Sequence, residues 1–149
     1  MDAPAETEPV IVHAGEFVAH ALHGSGAIRR AIYPELTGSR RLFIGLAEFG
    51  PGEAPHVFHR HGSEVVGPPG ARRRLTYAED FEEFYFVVAG SGEMQWRFPD
   101  GRERRVPVTT GDAVYFPPGV VEHRVFNTGC ETMRVLYGGT PPARVEAMD

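Results

Sequence analysis

The sequence contains no lysine and a single cysteine, Cys130, among its 149 residues. Without lysine, an enzyme that works through a lysine Schiff base or a lysine nucleophile is excluded. One cysteine cannot form an internal disulfide, and it rules out metal sites built from several thiolates. The fifteen basic residues are all arginines and face twenty acidic residues, which gives a formal charge of −5. This balance argues against a nucleic-acid partner, since such proteins normally present a net basic face.

Long hydrophobic runs are also missing. The longest, Ala113 to Val121, is interrupted by Pro117 and Pro118 and is far shorter than the roughly 20 residues that span a bilayer. The N-terminal stretch is acidic and its first basic residue is Arg29, whereas a secretory signal begins with positive charge. The sequence therefore predicts a cytoplasmic protein with no membrane partner.

Glycine and proline are spread along the whole chain, with eighteen and thirteen residues, and no segment shows a sustained helical period. Many short β-rich runs separated by turns predict an all-β sandwich or barrel in one domain. We predict a disordered acidic tail at residues 1–8, the barrel at 9–140 and a C-terminal tail at 141–149. The predicted strands are Pro9–His13, Glu16–Leu22, Ala27–Tyr33, Arg41–Phe49, Glu83–Ala89, Glu93–Phe98, Arg104–Val108, Ala113–Phe116, His123–Asn127 and Thr132–Tyr137.

Three features around the predicted strand Glu83–Ala89 lead to specific expectations. The run Phe84–Val88 is apolar at every position, which predicts a central strand that is covered on both faces. Gly90-Ser91-Gly92 follows it and predicts a hairpin to Met94–Phe98. Residues 62–80, which contain the charge run Arg72-Arg73-Arg74, predict a long insertion that is either a functional lid or disordered.

The tripeptide His59-Arg60-His61 is the sharpest local signal of chemistry. On a strand, residues i and i+2 share a face, so the two imidazoles converge while Arg60 points away. Glu83 and His123 open two later strands, with Glu82 and Glu64 as alternative carboxylates. Three histidines and a carboxylate suit Fe, Mn, Co, Ni, Cu or Zn, and the lack of cysteine ligands favours an open, reactive site.

The order of these residues resembles the two motifs of the cupin superfamily, which are small jelly-roll β-barrels. The resemblance covers about residues 40 to 138. The first motif is matched by a glycine, a His-x-His pair, a glutamate and a second glycine, and the second motif by a glycine, a Pro-x-Gly turn, a histidine and an asparagine. The matching residues are Gly52, His59, His61, Glu83, Gly90, Gly111, Pro117, Gly119, His123 and Asn127.

The chain departs from these motifs at three places. Six residues rather than five separate Gly52 from His59, and twenty-one rather than three or four separate His61 from Glu83. One extra residue also precedes His123. A bulge there keeps His123 directed inward, whereas a slip in register turns it outward.

The resemblance implies that His59, His61, Glu83 and His123 bind one divalent transition metal per chain, with Fe(II) favoured and Mn, Ni, Co, Cu or Zn as alternatives. It also implies a homodimer that forms through the β-rich segment 9–33. Four protein ligands on an octahedral ion leave two positions for substrate, water or dioxygen. Our leading interpretation is an Fe(II)-type dioxygenase that acts on a small or medium organic substrate. The alternatives are a non-redox lyase, isomerase or polyketide-cyclase-like enzyme, and a non-catalytic barrel that binds a small ligand.

Three residues are candidates for catalysis besides metal binding. Glu83 would tune the charge of the metal and act as a base, and Tyr85, on the same strand face, would donate a proton. Arg97 would pair with an anionic substrate if its face of the strand lines the barrel. The alternatives are that Tyr85 is a buried core aromatic and that Arg97 and the arginine run 72–74 are solvated.

Overall fold

A computed structural model describes residues 7–20 and 24–148. It is almost entirely β, as predicted. A 3₁₀ turn, Ala14–Glu16, and one helical turn, α1 (Pro34–Thr37), are the helical elements of the described chain. The strands are β1 (Val18–Ala19), β2 (Ala27–Ile32), β3 (Phe43–Phe49), β4 (Ser63–Val66), β5 (Arg73–Thr76), β6 (Glu82–Ala89), β7 (Ser91–Arg97), β8 (Glu103–Thr109), β9 (Ala113–Phe116), β10 (Glu122–Phe126), β11 (Met133–Thr140) and β12 (Arg144–Ala147).

Two antiparallel sheets form the jelly-roll barrel that the sequence predicts. The larger sheet has the strand order β1-β2-β3-β11-β6-β9 and the smaller one the order β10-β7-β8. Alternate residues of each strand point into one shared core, where Val87 and Val135 of the larger sheet join Met94 and Val125 of the smaller. The functional side chains discussed below project from the same inward faces.

Strand β6 is buried on one face only, so the expectation that it is covered on both faces is wrong. Its inward residues, Tyr85 and Val87, are at most 5% exposed, whereas Phe84, Phe86 and Val88 are 38–40% exposed. Both neighbours of β6 are antiparallel to it, and antiparallel sheets commonly leave one face open. The apolar run therefore reflects an exposed hydrophobic surface as well as the core.

The predicted hairpin at Gly90-Ser91-Gly92 is also wrong, because β6 and β7 lie in different sheets. Gly90 carries the chain from one sheet to the other at φ +94°, a conformation that favours glycine. A Cβ at this position would lie 3.0 Å from the Cα of Met133. The smaller sheet instead has its hairpin between β7 and β8, where the Phe98 amide donates to the Arg102 carbonyl at 2.8 Å.

The insertion at residues 62–80 is ordered into strands rather than a long loop. Strands β4 and β5 form an antiparallel hairpin, and β12 pairs with the other edge of β5. These three strands make a small third sheet. It includes part of the stretch 141–149, which the sequence presented as a tail.

The N-terminal segment follows the sequence prediction only in part. Residues 9–13 form no strand, and β1 covers two residues of the predicted Glu16–Leu22. Residues 21–22 of that prediction, and residues 1–6 of the predicted acidic tail, lie outside the described residues. In the described ranges, no helix has the length and apolar character that crossing a membrane requires.

Candidate metal centre

Three histidines converge inside the barrel. One ligand nitrogen each of His59, His61 and His123 lies within 4.8 Å of the others. His59 forms an isolated antiparallel bridge to His123, with backbone hydrogen bonds of 3.2 and 3.0 Å. Arg60, between the two histidines of the tripeptide, is exposed. His59 and His61 thus converge with Arg60 outside, as expected, although the tripeptide lies in no strand apart from the isolated bridge at His59.

The extra residue before His123 does not turn this side chain outward. His123 is 1% exposed and lies opposite Trp96, in register with the inward face of β7. The ring of Phe116 stacks on the imidazole at a centroid distance of 4.5 Å. Strand pairing and this aromatic contact together keep His123 directed into the barrel.

Glu83 is the carboxylate that the structure brings to the histidines. It is 9% exposed, and its Oε1 lies 3.3 Å from Nε2 of His61. Glu82 is on the outer face of β6 and is exposed. Glu64 is half-buried and accepts a hydrogen bond from the Tyr77 hydroxyl at 3.3 Å. Of the three candidates, Glu83 is the one that lies beside a histidine of the cluster, and its role as a metal ligand stays a prediction.

Backbone carbonyls orient two of the imidazoles. Nδ1 of His59 lies 3.3 Å from the Val57 carbonyl, and Nδ1 of His123 lies 2.9 Å from the Val121 carbonyl. A carbonyl can only accept, so each Nδ1 carries the proton and each Nε2 keeps a free lone pair. This arrangement is common for histidines that bind metals, because the second nitrogen fixes the ring and its tautomer.

Burial keeps these imidazoles neutral. Burial, together with the smaller effect of neighbouring histidines, lowers the pKa of His59 to about 4 and that of His123 to about 3. Since a metal binds the unprotonated imidazole, both side chains are ready to act as ligands across the neutral pH range.

The polar atoms at the centre fit a bound metal ion. Nε2 of His61, Nε2 of His123 and Oε1 of Glu83 are buried and have no hydrogen-bond partner of good geometry among the described residues. Buried polar atoms without partners are costly, so such a cluster needs an explanation. Imidazole nitrogens and a carboxylate oxygen clustered in this way are the donor set of a first-row transition ion or zinc.

Of the other two catalytic candidates, Tyr85 lies at the cavity and Arg97 does not. Tyr85 is 5% exposed and lines the cavity, with its hydroxyl 3.0 Å from Nε2 of His56. Arg97 lies on the outer face of β7, where its Nε donates to Glu103 at 3.0 Å. The guanidinium of Arg97 lies 4.2 Å from the ring centroid of Phe58. Arg97 is therefore not brought to the site, and its predicted pairing with a substrate is not supported.

His56 was missed in the sequence. Its ring is buried, makes an edge contact with that of His59 at 3.9 Å, and its Nδ1 lies 3.2 Å from the Val57 carbonyl. Nothing in the motif spacing distinguishes it from a surface histidine. Its proximity in sequence to His59 was the only available signal.

A cavity lies next to the three histidines. Polar side chains from several strands line it, and of these only His59, Glu83 and Tyr85 were grouped in the sequence analysis. The polar and ionisable residues of the lining are His20, Tyr33, His56, His59, Glu64, Tyr77, Glu83, Tyr85 and Tyr137.

Comparisons with known proteins agree with this architecture. A family model described as a cupin domain matches residues 63–138, about half of the chain. A glucose-6-phosphate isomerase of Thermococcus onnurineus (strain NA1) is 40% identical over 52 residues, which are 35% of this chain and 27% of the isomerase. The chain therefore spans about a quarter of that relative.

Two solved structures share the fold at low identity. A Thermotoga maritima protein described as a predicted oxalate decarboxylase matches with a TM-score of 0.55 and 20% identity, over 88% of this chain and 98% of that one. The oxalate decarboxylase of Lactobacillus farciminis matches with a TM-score of 0.60 and 14% identity, over 93% of this chain and 35% of that one. At these identities the likeness concerns the fold alone.

Proposed function

The chain belongs to the cupin family, and from this premise we propose that it is a metal-dependent enzyme that isomerises or cleaves a small organic substrate without redox chemistry. The observation that carries the proposal is the cluster of buried polar atoms on His61, Glu83 and His123 that have no well-formed hydrogen bond among the described residues, beside a cavity that Glu83 and His59 line. The names of the similar proteins, an isomerase and two decarboxylases, favour this class of reaction over oxygen chemistry.

The residues of the site have distinct roles in this proposal. His59, His61, His123 and Glu83 would hold one divalent cation, which supplies a Lewis acid for a bound substrate oxygen. Glu83 contributes the single negative charge among these ligands. Phe81 and Phe116 pack their rings against His61 and shield the centre from water. The Tyr85 hydroxyl donates to Nε2 of His56, whose Nδ1 faces the Val57 carbonyl, so the Tyr85 oxygen is available at the cavity wall as a neutral hydrogen-bond acceptor.

The Fe(II)-type dioxygenase is the second candidate and stays a prediction. It uses the same four ligands, and four protein ligands would leave two positions on an octahedral ion. A substrate oxygen would take one position and dioxygen the other. The two candidates differ in whether turnover consumes oxygen.

The metal content of purified protein tests the shared premise. We expect about one equivalent of a divalent transition metal per chain by mass spectrometry. A double variant, His59→Ala with His61→Ala, removes two ligands and should retain less than about a tenth of an equivalent. His13→Ala is the matched control, because His13 is an exposed histidine in the N-terminal segment. Equal metal in the parent and the double variant, or none in the parent after reconstitution, would contradict the proposal.

Oxygen uptake then separates the two enzyme classes. Metal-loaded protein is incubated with small hydroxylated and keto substrates while an oxygen electrode and product analysis run in parallel. Product without oxygen loss supports the isomerase or lyase, whereas stoichiometric oxygen loss supports the dioxygenase. Ligand binding without any product would support the third interpretation, a non-catalytic barrel that binds a small ligand.

A further inference from the structure

An aromatic side chain on the outside of the barrel lies behind the histidine cluster. Phe58 precedes His59 in the chain, and Arg124 follows His123. Neighbouring residues of an extended chain point to opposite faces, so Phe58 and Arg124 project outwards while the two histidines project into the barrel. The guanidinium of Arg124 lies 4.6 Å from the ring centroid of Phe58, and that of Arg97 lies 4.2 Å from it. We call Phe58, Arg97 and Arg124 the aromatic clamp.

The chain that carries His59 and His61 has little sheet pairing of its own. Residues 55–62, which we call the histidine segment, form no strand. His59 joins β10 through the isolated bridge to His123, with two backbone hydrogen bonds. A ladder of such bonds fixes both the position and the direction of a strand, whereas a single bridge fixes one point. Side-chain contacts therefore have to hold the rest of the histidine segment against the barrel.

Both arginines of the aromatic clamp are held in place by the smaller sheet. Nε of Arg124 donates to Oε1 of Gln95 at 2.8 Å, and Gln95 is only 3% exposed. Nε of Arg97 donates to Glu103 at 3.0 Å, and Oε2 of Glu122 lies 3.9 Å from Nη1 of Arg97. The two carboxylates offset the repulsion between guanidiniums that share one ring. The aromatic clamp thus connects the histidine segment with all three strands of the smaller sheet.

The attraction within the aromatic clamp depends on the aromatic ring and not only on its apolar surface. A guanidinium over a phenyl ring is attracted by the negative face of the ring, and the attraction grows where water is partly excluded. Phe58 and Arg124 are both half-buried. Leucine in place of Phe58 would keep an apolar contact and lose this attraction, whereas tyrosine would keep both. The two substitutions therefore separate the clamp from simple packing.

We propose that the aromatic clamp is a positioning device for the candidate metal centre. It holds the histidine segment against β10 from the outside, so that the His59 ring stays beside the His123 ring, at a centroid distance of 4.5 Å. Its side chains touch neither the metal nor the substrate and act through the backbone of the two ligands. Arg97 thereby has a role on the outer face of β7 in place of the predicted contact with a substrate. This role rests on the proposed function, because it concerns the affinity of the site for a metal.

Zinc affinity, measured by competition with a chelator, tests the aromatic clamp without any turnover. Phe58→Leu should weaken zinc binding about tenfold, because it loosens the chain that carries a ligand. Phe58→Tyr should bind zinc within about twofold of the parent, and Arg97→Met, which removes one guanidinium at the surface, should weaken binding about threefold. Phe98→Leu is the matched control and should bind zinc like the parent. The Phe98 ring holds the Arg102 guanidinium at 4.6 Å, but it lies at the turn after β7 and adjoins no histidine of the cluster.

Hydrogen exchange of the metal-free protein gives a second readout that does not depend on the metal. The His59 amide, which donates to the His123 carbonyl, should exchange about tenfold faster in Phe58→Leu, whereas the amides of β8 should not change. The positioning role is overturned if zinc affinity and His59 exchange in Phe58→Leu match the parent, if Phe58→Tyr does not restore them, or if Phe98→Leu weakens zinc binding equally. A parent that binds no zinc would instead contradict the proposed function, and the exchange of His59 would still show whether the clamp holds the histidine segment.

Discussion

Asn127, which completes the second motif, is a structural residue. It is fully buried, and its Nδ2 donates to the carbonyls of Phe49 at 3.0 Å and Glu131 at 2.8 Å. Its Oδ1 accepts from the amide of Gly129 at 2.9 Å. One side chain thereby ties the end of β3 to the turn between β10 and β11. All of its polar atoms are satisfied away from the metal ligands.

Replacing Asn127 with alanine should destabilise the protein without removing its metal. The change leaves two carbonyls and one amide without their buried partner, so we expect a loss of about 2–4 kcal/mol in the free energy of unfolding. Urea denaturation measures this loss, and Thr128→Ala, an exposed neighbour, should stay within about 0.5 kcal/mol of the parent. An Asn127→Ala variant as stable as the parent, or one that loses its metal while folded, would refute the structural role.

Individual residues of the site differ in how far the sequence could predict them. His59 and His61 follow from strand alternation, and Glu83 and His123 from their motif spacing. Tyr33 and Tyr77 could not be predicted, because they reach the cavity from two segments whose proximity depends on the pairing of the strands. Alternation along a single strand determines which residues share a face. It does not determine which faces of distant strands meet.

At the level of elements, the small sheet β4-β5-β12 is the largest part of the fold that the sequence did not predict. Its central strand, β5, is short and arginine-rich, and its partner β12 lies about seventy residues further along the chain. Neither strand has the apolar alternation of the barrel strands, so hydrophobic periodicity could not reveal them. Barrel strands such as β3 and β6, by contrast, were predicted to within two residues because buried and less buried positions alternate along them.

Leu75 is the buried residue of the central strand of this small sheet. It is 6% exposed and lines the same groove as Phe43, Tyr33 and Tyr77. Leu75→Ala removes this buried side chain and should cost about 2–4 kcal/mol locally. Hydrogen exchange should then accelerate in β4, β5 and β12 but not in β7 and β8.

The matched control for Leu75 is Val145→Ala. Val145 lies directly opposite Leu75 in the same sheet but is 47% exposed. Its truncation should leave hydrogen exchange nearly unchanged. If Leu75→Ala instead accelerates exchange equally in all three sheets, the small sheet does not open as an independent unit.

At the level of the whole molecule, the outer face of the larger sheet is where we expect a second copy to bind. Phe84 and Phe86 are about two-fifths exposed there, and Tyr115 lies beside Phe84 in register. Arg41 and Glu82 line one end of this surface and offer opposite charges to a two-fold related copy. The expected homodimer stays a prediction, and this face is a more apolar candidate for it than the predicted segment 9–33.

Light scattering distinguishes the two candidate dimer surfaces. Phe84→Ser with Phe86→Ser should give a monomer if the outer face of the sheet forms the interface. Val10→Ser with Ile11→Ser, two exposed residues of the N-terminal segment, should leave the dimer intact. The reverse result would assign the interface to the N-terminal segment, and a monomeric parent would refute the dimer.

The stability of the metal-free protein should depend on pH through its buried histidines. Burial lowers the pKa of His20 and His59 to about 4 and that of His123 to about 3, whereas unfolded histidines titrate near 6.5. Between these values the unfolded chain binds protons that the folded chain does not. The free energy of unfolding therefore falls as the pH drops from about 7 towards 4 and is independent of these groups at higher pH.

Urea denaturation of metal-free protein at pH 7, 6 and 5 measures this dependence. His123, which is 1% exposed, alone should contribute up to about 1.4 kcal/mol per pH unit within this window. A double variant, His59→Gln with His123→Gln, should lose stability less steeply over the same range because it has fewer protons to take up on unfolding. If the free energy of unfolding falls equally steeply with pH in parent and variant, these imidazoles are already accessible to protons in the folded state. The lone pairs that define the candidate metal centre would then not be held in a neutral, buried form.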